Sequence, residues 1–233
     1  MTRTRTFDAL PDLDDKPRVV EEMFDRIAPR YDALNRLLTF RMDVRWRRQA
    51  VAALELPPSS LVLDLACGTG DLCRTVADAG HRPVGVDFSA GMLRAARTDA
   101  PLVRADAMHL PFADATFAGI TCGFALRNFA ALAPVLAECG RVLCAGGRVA
   151  LIDVAEPASP LVRFGHSLWF RHAVPFVGGI VSDRAAYRYL PASTAYLPPL
   201  PDLLALVVDA GIVDVSRRAL GFGAAQLITG TRA

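Results

Sequence analysis

At 233 residues, 52% of them hydrophobic, the chain is too apolar to be disordered and long enough for one domain with an added segment. A formal charge of +2 lacks the concentrated basic face of a nucleic-acid surface, so nucleic acid is excluded as a partner. Five cysteines, an odd number with no C-x-x-C pair, argue against a zinc site or a disulfide framework; no metal is expected, and a reducing cytoplasm fits. Asp8, Asp12, Asp14 and Asp15 stand where a secretory signal would carry its apolar core, and no uncharged run reaches the about 18 residues of a membrane span.

Residues 1–17 are polar and read as a flexible N-terminus, leaving 18–233 as a single domain. Val20, Met23, Phe24 and Ile27 recur at helical spacing, and Pro29 should end that helix. Ala28–Asn35 mixes helix breakers with polar side chains. A second helix is expected over about 43–55. Its cluster Arg41, Arg45, Arg47 and Arg48 reads as a solvated face or, alternatively, as a contact for phosphate or anionic lipid. Because 18–56 precede the main motif, these helices should cover a site instead of joining a sheet.

That motif is Leu61-Val-Leu-Asp-Leu-Ala-Cys-Gly-Thr-Gly-Asp71, an apolar strand running into a small-residue turn and then a helix opened by Asp71. Such a loop lets a nucleotide-like ligand approach the backbone. Gly80 ends the helix, and 83–87 form a second strand. Asp87 ends that strand 19 residues past Gly68, where a doubly wound fold places an acid for the ribose hydroxyls. Ser89 caps the next helix. Further strands are predicted at 101–106, 117–125 and 148–153, with a helix at 132–142 and a turn at Gly146-Gly147. Residues 155–200 break the rhythm with seven aromatics (Phe164, Trp169, Phe170, Phe176, Tyr187, Tyr189, Tyr196), as a lid or substrate-binding insertion would. A helix at 202–210, closed by Gly211, precedes a hairpin of 213–219 and 225–229 joined through Gly221-Phe-Gly223. The fold is therefore α/β: a doubly wound, Rossmann-like, seven-stranded sheet with a C-terminal antiparallel hairpin, N-terminal helices and a helical lid insertion.

A dinucleotide loop would carry a third glycine where Cys73 stands. The chain instead has D-x-A-x-G-x-G from Asp64 to Gly70, Asp87-x-Ser-x-x-Met-Leu, Ala105-Asp-Ala-x-x-Leu-Pro-Phe112 and Gly146-Gly-Arg148. In these four motifs, in this order, it resembles the class I S-adenosyl-L-methionine-dependent methyltransferases. The resemblance implies that Gly68, Thr69 and Gly70 meet the methionine and ribose side of that cofactor, Asp87 the ribose diol, and Asp106 with Ala107 the adenine. Ala66, Phe88, Met92 and Gly123 complete the implied set. Asp64 either contacts the cofactor's amino group, orients the loop or caps local N–H groups, and Asp106 is alternatively a turn residue.

Met23-Phe-Asp-Arg-Ile-Ala-x-x-Tyr31-Asp32-x-Leu-Asn35, Trp46-Arg47, Phe124-Ala-Leu-Arg127-Asn128 and Tyr187-x-Tyr189-Leu-x-x-Ser193 are similar to the ubiquinone/menaquinone biosynthesis C-methyltransferases. Departures are Asp43 where that family commonly has histidine, Gly123 where it has a cofactor-contacting serine, Cys144-Ala145 in its glycine turn, and Asp153-Val-Ala-Glu-Pro157. The resemblance implies C-methylation of a quinol ring such as demethylmenaquinol, with a prenylated quinol as small-molecule partner. The departures keep open a C-, O- or N-methyltransferase tailoring another aromatic or polyketide-like molecule. A nicotinamide oxidoreductase and an inactive scaffold are the readings of other classes. On the catalytic side, Arg127 is expected either to stabilise a phenolate or to form a structural ion pair; Asn128 and Tyr31 to position the ring; and His172 to serve as base or as a packing residue. Peripheral membrane contact and a homodimer are left open.

Overall fold

The computed structural model describes residues 15–157 and 192–233, together with 159, 160, 163, 164 and 189. The chain enters through α1 (Lys16–Ile27), whose stripe Val19, Met23 and Ile27 is buried. Pro29 stops this helix, as its ring and missing N–H require, but a single 3-10 turn at Ala28–Arg30 leads straight into α2 (Tyr31–Leu38). The break expected over 28–35 is therefore one turn long, because proline is tolerated in a first turn and Leu34 supplies α2 with a buried contact. Phe40 and Arg41, both at positive φ, then swing the chain into α3 (Met42–Ala52).

Seven strands form one sheet in the order β3-β2-β1-β4-β5-β7-β6. β1 (Leu61–Leu65), β2 (Arg82–Asp87), β3 (Leu102–Arg104), β4 (Phe117–Gly123) and β5 (Leu143–Val154) are parallel. β7 (Ala225–Arg232) runs antiparallel between β5 and β6 (Ile212–Leu220), the predicted hairpin. β5 starts earlier than the predicted Arg148: Leu143 already pairs with Phe117, and Gly146-Gly147 bulges before Arg148 resumes opposite Gly119. The connecting helices are α4 (Asp71–Asp78), α5 (Ala90–Arg94), α6 (Leu132–Val142) and α7 (Leu200–Asp209).

Alternation along the strands assigns the two faces. Leu63, Leu65, Val149, Leu151 and Ile228 pack with α6 and α7, whereas Val62, Ala150, Ile152 and Leu227 pack with Trp46 of α3 and Val76 of α4. Met23, Ile27 and Leu34 form a separate small cluster with Tyr189. α1 and α2 thus share a small core apart from the sheet, whereas α3 packs on the sheet itself. Chain order reverses between β1 and β4, and a doubly wound sheet opens its crevice at the carboxyl ends of strands beside such a switch. Among the described residues, no helix is long and apolar enough to cross a membrane. Of the seven aromatics in 155–200, Phe164 is exposed, Tyr189 buried and Tyr196 half-buried; Trp169, Phe170, Phe176, Tyr187 and His172 lie outside the described residues, as do 1–14.

Candidate active site

β1 delivers Asp64 to the sheet's edge and continues into a loop in which Ala66, Gly68 and Gly70 all take positive φ. A side chain at Gly68 would sit 3.1 Å from the Met92 methyl, and one at Gly70 would run into Thr98 at 2.6 Å, so both glycines are dictated by conformation and space. Gly70 then caps α4 without a side-chain bond, leaving the first N–H groups of that helix available.

Over this loop lies a cleft that opens to solvent, lined by the loop, by the ends of β1, β2 and β4 and by the N-terminal helices. Of the residues the resemblance assigns to the cofactor, all but Gly70 line it, and Gly70 turns the chain behind it. Asp87 is fixed by two backbone donors, Gly68 N–H to Oδ2 and Ser89 N–H to Oδ1, each 2.8 Å. Burial pushes its carboxyl above the usual range, and these same N–H groups oppose the rise. Asp106 is at once a turn residue, accepting from Met108 N–H at 2.9 Å, and part of the cleft wall with Ala107. Ser89 caps α5 as predicted, its Oγ accepting from Met92 N–H at 3.0 Å. Gly123 leaves room for Leu72: a Cβ there would meet Leu72 Cδ1 at 2.8 Å, so the serine common in similar sequences would need Leu72 to move.

Asp64 is completely buried, accepting from Thr121 Oγ1 at 3.0 Å and Cys73 Sγ at 3.3 Å. Burial raises its carboxyl to about 7, against the pull of these donors and of Arg47. The floor of the cleft therefore holds a carboxylate poised to ionise when a cation arrives.

Three helices close the cleft. Val20, Glu21 and Phe24 of α1, Tyr31 of α2 and Arg47 of α3 line it. Polar contacts fasten them to the loop below. Asp25 Oδ1 accepts from Ser89 Oγ at 2.5 Å and Gly91 N–H at 2.8 Å, and Thr69 Oγ1 donates to Asp32. Asp71, the first residue of α4, pairs with Arg36 at 3.1 Å, Arg47 at 2.8 Å and Arg74. Sequence reasoning missed Asp25 and Asp32 as fasteners, although both lie within the motif that carries Tyr31. It also placed Arg47 with a solvated cluster. Arg41, Arg45 and Arg48 are exposed, but Arg47 is 6% exposed and held by Asp43 and Asp71, each 2.8 Å from Nη1. The signal was present in the i, i+4 spacing of Asp43 and Arg47.

Of the expected catalytic residues, Tyr31 and Asn128 line the cleft and Arg127 does not. Tyr31 stacks edge-on against Phe24 with ring centres 5.8 Å apart, and burial raises its phenol above the usual value. Asn128 accepts from the Tyr189 hydroxyl at 3.3 Å. The Arg127 guanidinium is spent on Asp153 (2.5 Å), the Phe124 carbonyl (2.7 Å) and Ser193 Oγ (3.1 Å), and its backbone N–H also donates to Asp153. The turn 124–128 thus meets Tyr189 and Ser193 from far along the chain, and the ion-pair partner of Arg127, Asp153, lies in β5.

The ubiE/COQ5 methyltransferase family matches residues 12–232. A demethylmenaquinone methyltransferase of Roseiflexus castenholzii is 41% identical over 231 residues, covering 96% of this chain and 97% of that one. Among solved structures, a putative methyltransferase of Haloferax volcanii, in complex with the Trm112 activator, matches with a TM-score of 0.64 at 18% identity over 89% of this chain and 96% of its own. Phosphoethanolamine N-methyltransferase 2 of Haemonchus contortus, solved with S-adenosyl-L-methionine, matches with a TM-score of 0.57 at 13% identity over 79% of this chain and 52% of its own. These two similarities concern the fold. The family assignment rests on the match along nearly the whole chain and on the identity to the Roseiflexus enzyme: the chain belongs to the ubiE/COQ5 methyltransferase family.

Proposed function

We propose that this methyltransferase moves a methyl group from S-adenosyl-L-methionine to a ring carbon of a small aromatic quinol of the demethylmenaquinol type. The observation that carries the reading is that one cleft holds both sets of residues the reaction needs: Asp64, Asp87 and Asp106 on the floor, and Tyr31 and Asn128 beside the apolar walls of Val20, Phe24 and Phe129.

The floor fits that cofactor on its own chemistry. Asp87 is immobilised with lone pairs left for ribose hydroxyls, and Asp64 keeps lone pairs for a cation. When bound, the cofactor supplies an electrophilic methyl group on a positively charged sulfur. The protein's task is alignment and exclusion of water, because an in-line displacement needs the acceptor carbon behind the methyl carbon. A quinol carbon is nucleophilic once the neighbouring hydroxyl gives up its proton, and it recovers aromaticity by losing its ring hydrogen after the new carbon–carbon bond forms. Tyr31 and Asn128 hold that hydroxyl in this reading. Arg127 is a positioning residue: it sets the turn from which Asn128 projects. A prenyl tail on the quinol would lie along Val20, Phe24 and Phe129.

The reading is tested by titrating the protein with S-adenosylhomocysteine and with NAD, then assaying methyl transfer to one naphthoquinol kept reduced and to its oxidised quinone. Binding of S-adenosylhomocysteine alone, with transfer only to the reduced form, is expected. Binding of NAD, or equal transfer to the quinone, would overturn it.

A further inference from the structure

We propose that Arg47 recognises the carboxylate of the cofactor's methionyl end while Asp64 takes its ammonium, so that the two residues read the amino-acid zwitterion as a pair. This deepens the methyltransferase reading above and rests on it.

Arg47 is buried yet lines the cleft, which is unusual for a residue serving only an ion-pair network. Its Nη1 stands 2.8 Å from a carboxylate oxygen of each of Asp43 and Asp71, which holds the charge in place. Among the described residues, nothing accepts a hydrogen bond from its Nε or Nη2. A guanidinium in a cleft wall with donors to spare is a group that a carboxylate fits well. Asp64 lines the same cleft, with one donor on each oxygen and room for more. The two groups feel one another, since Arg47 is among the influences holding the Asp64 carboxyl down.

The surrounding charges permit an incoming anion. Arg36, Arg47 and Arg74 stand against Asp32, Asp43 and Asp71, three cations and three anions, so the network is neutral as a whole. Asp71 also lines the cleft, but its carboxylate is shared among all three arginines. A zwitterion bridging Arg47 and Asp64 adds no net charge to this wall. The positive sulfur is then left to attract the acceptor's phenolate.

The test compares three ligands by isothermal titration: S-adenosylmethionine, its decarboxylated analogue, which lacks only the carboxylate, and 5′-methylthioadenosine, which lacks the whole amino-acid end. Wild-type protein should lose about 10- to 100-fold in affinity when the carboxylate is removed, the usual scale of a charge-assisted pair. In R47Q the first two ligands should bind alike, R47K should fall between, and affinity for methylthioadenosine should stay at the wild-type level. Equal weakening of all three ligands in R47Q would show a structural role instead, and unchanged S-adenosylmethionine affinity with lost turnover would move Arg47 to the acceptor. Both outcomes overturn the proposal. So does wild-type protein that fails to distinguish the first two ligands, a comparison that holds even if R47Q does not fold. Wild-type protein that binds none of the three would instead sink the methyltransferase reading.

Discussion

The floor of the cleft and its cover are built by different physics. The floor belongs to strands whose side chains are buried on both faces of the sheet, among them Val62, Leu63, Leu65, Ile120 and Ile152. Each such side chain contributes about 1.5–3 kcal/mol by leaving water. The cover, α1 and α2, has among the described residues a small buried core of Met23, Ile27 and Leu34 with Tyr189, and meets the floor through discrete polar contacts: Asp25 to Ser89 and Gly91, Asp32 to Thr69, Glu21 to Arg104. The solvated pair Glu21–Arg104 is worth about 0–1 kcal/mol, and the part-buried hydrogen bonds to Ser89, Gly91 and Thr69 about 1–3 kcal/mol each. Floor geometry is therefore dictated by the fold, whereas the cover is fastened at points that a ligand, salt or a single substitution can release. An enzyme that must admit an acceptor and then exclude water needs this asymmetry.

Four substitutions or conditions break the comparison at different depths. The deepest is D153N, beneath the floor, which leaves the Arg127 guanidinium buried beside a neutral amide and should cost about 3–5 kcal/mol in denaturant unfolding. The pair replacement R127M/D153L should recover most of that loss. A cost under about 1 kcal/mol for D153N would mean that the pair does not anchor the 124–128 turn. Next, D87A removes the carboxylate that both ribose hydroxyls would share and should weaken S-adenosylhomocysteine binding by about 2–4 kcal/mol in titration calorimetry, with the fold preserved.

The third concerns pH. The Asp64 carboxyl is raised from 3.8 to about 7 by burial, so the protonated form is favoured in the folded protein. Its contribution to stability is fully present below pH 3.8 and is lost as pH rises through about 7. Thermal melts without ligand should thus decline from about pH 4 toward pH 7 and level off above it, and D64N should flatten that decline. Binding a cationic ammonium ionises the group, so titration of S-adenosylhomocysteine at pH 6.5 in buffers of different ionisation enthalpy should release about half a proton or more. No release, or uptake, would remove Asp64 from the ammonium site. The smallest effect belongs to the cover: D25A should cost about 1–3 kcal/mol, seen as faster amide exchange confined to α1 and α2, with the strands unaffected.

How far the sequence could be read follows the same divide. Runs such as Leu61–Leu65 and Phe117–Gly123 are apolar and bounded by turn residues, and the helix Leu132–Val142 has local periodicity, so the floor was legible from neighbours along the chain. The spacing from Gly68 marked Asp87, and the methyltransferase resemblance implied Asp64, Thr69 and Asp106, all carried by local motifs. What escaped was nonlocal. The start of β5 depends on Leu143 meeting Phe117 across the sheet, so Gly146-Gly147 looked like a turn instead of a bulge. For Arg127 the sequence left an ion pair open without a partner, and only the fold brings Asp153, 26 residues on, against it. Arg47 looks solvated until Asp71 of another helix closes over it. The second helix of the cover was hidden by Pro29, whose effect ends after one turn because Tyr31–Leu38 can restart with Leu34 inward.

The claim at the centre of this account is that one cleft joins a methyl donor to a reduced aromatic carbon. Incubation with S-adenosylmethionine carrying a deuterated methyl group and reduced demethylmenaquinol, followed by mass spectrometry and NMR of the product, tests it most directly. The account predicts a single deuterated methyl group bonded to a ring carbon, formed from the quinol and absent when only the quinone is supplied. A label on oxygen, or its transfer to neither form while other phenols are methylated, would contradict it.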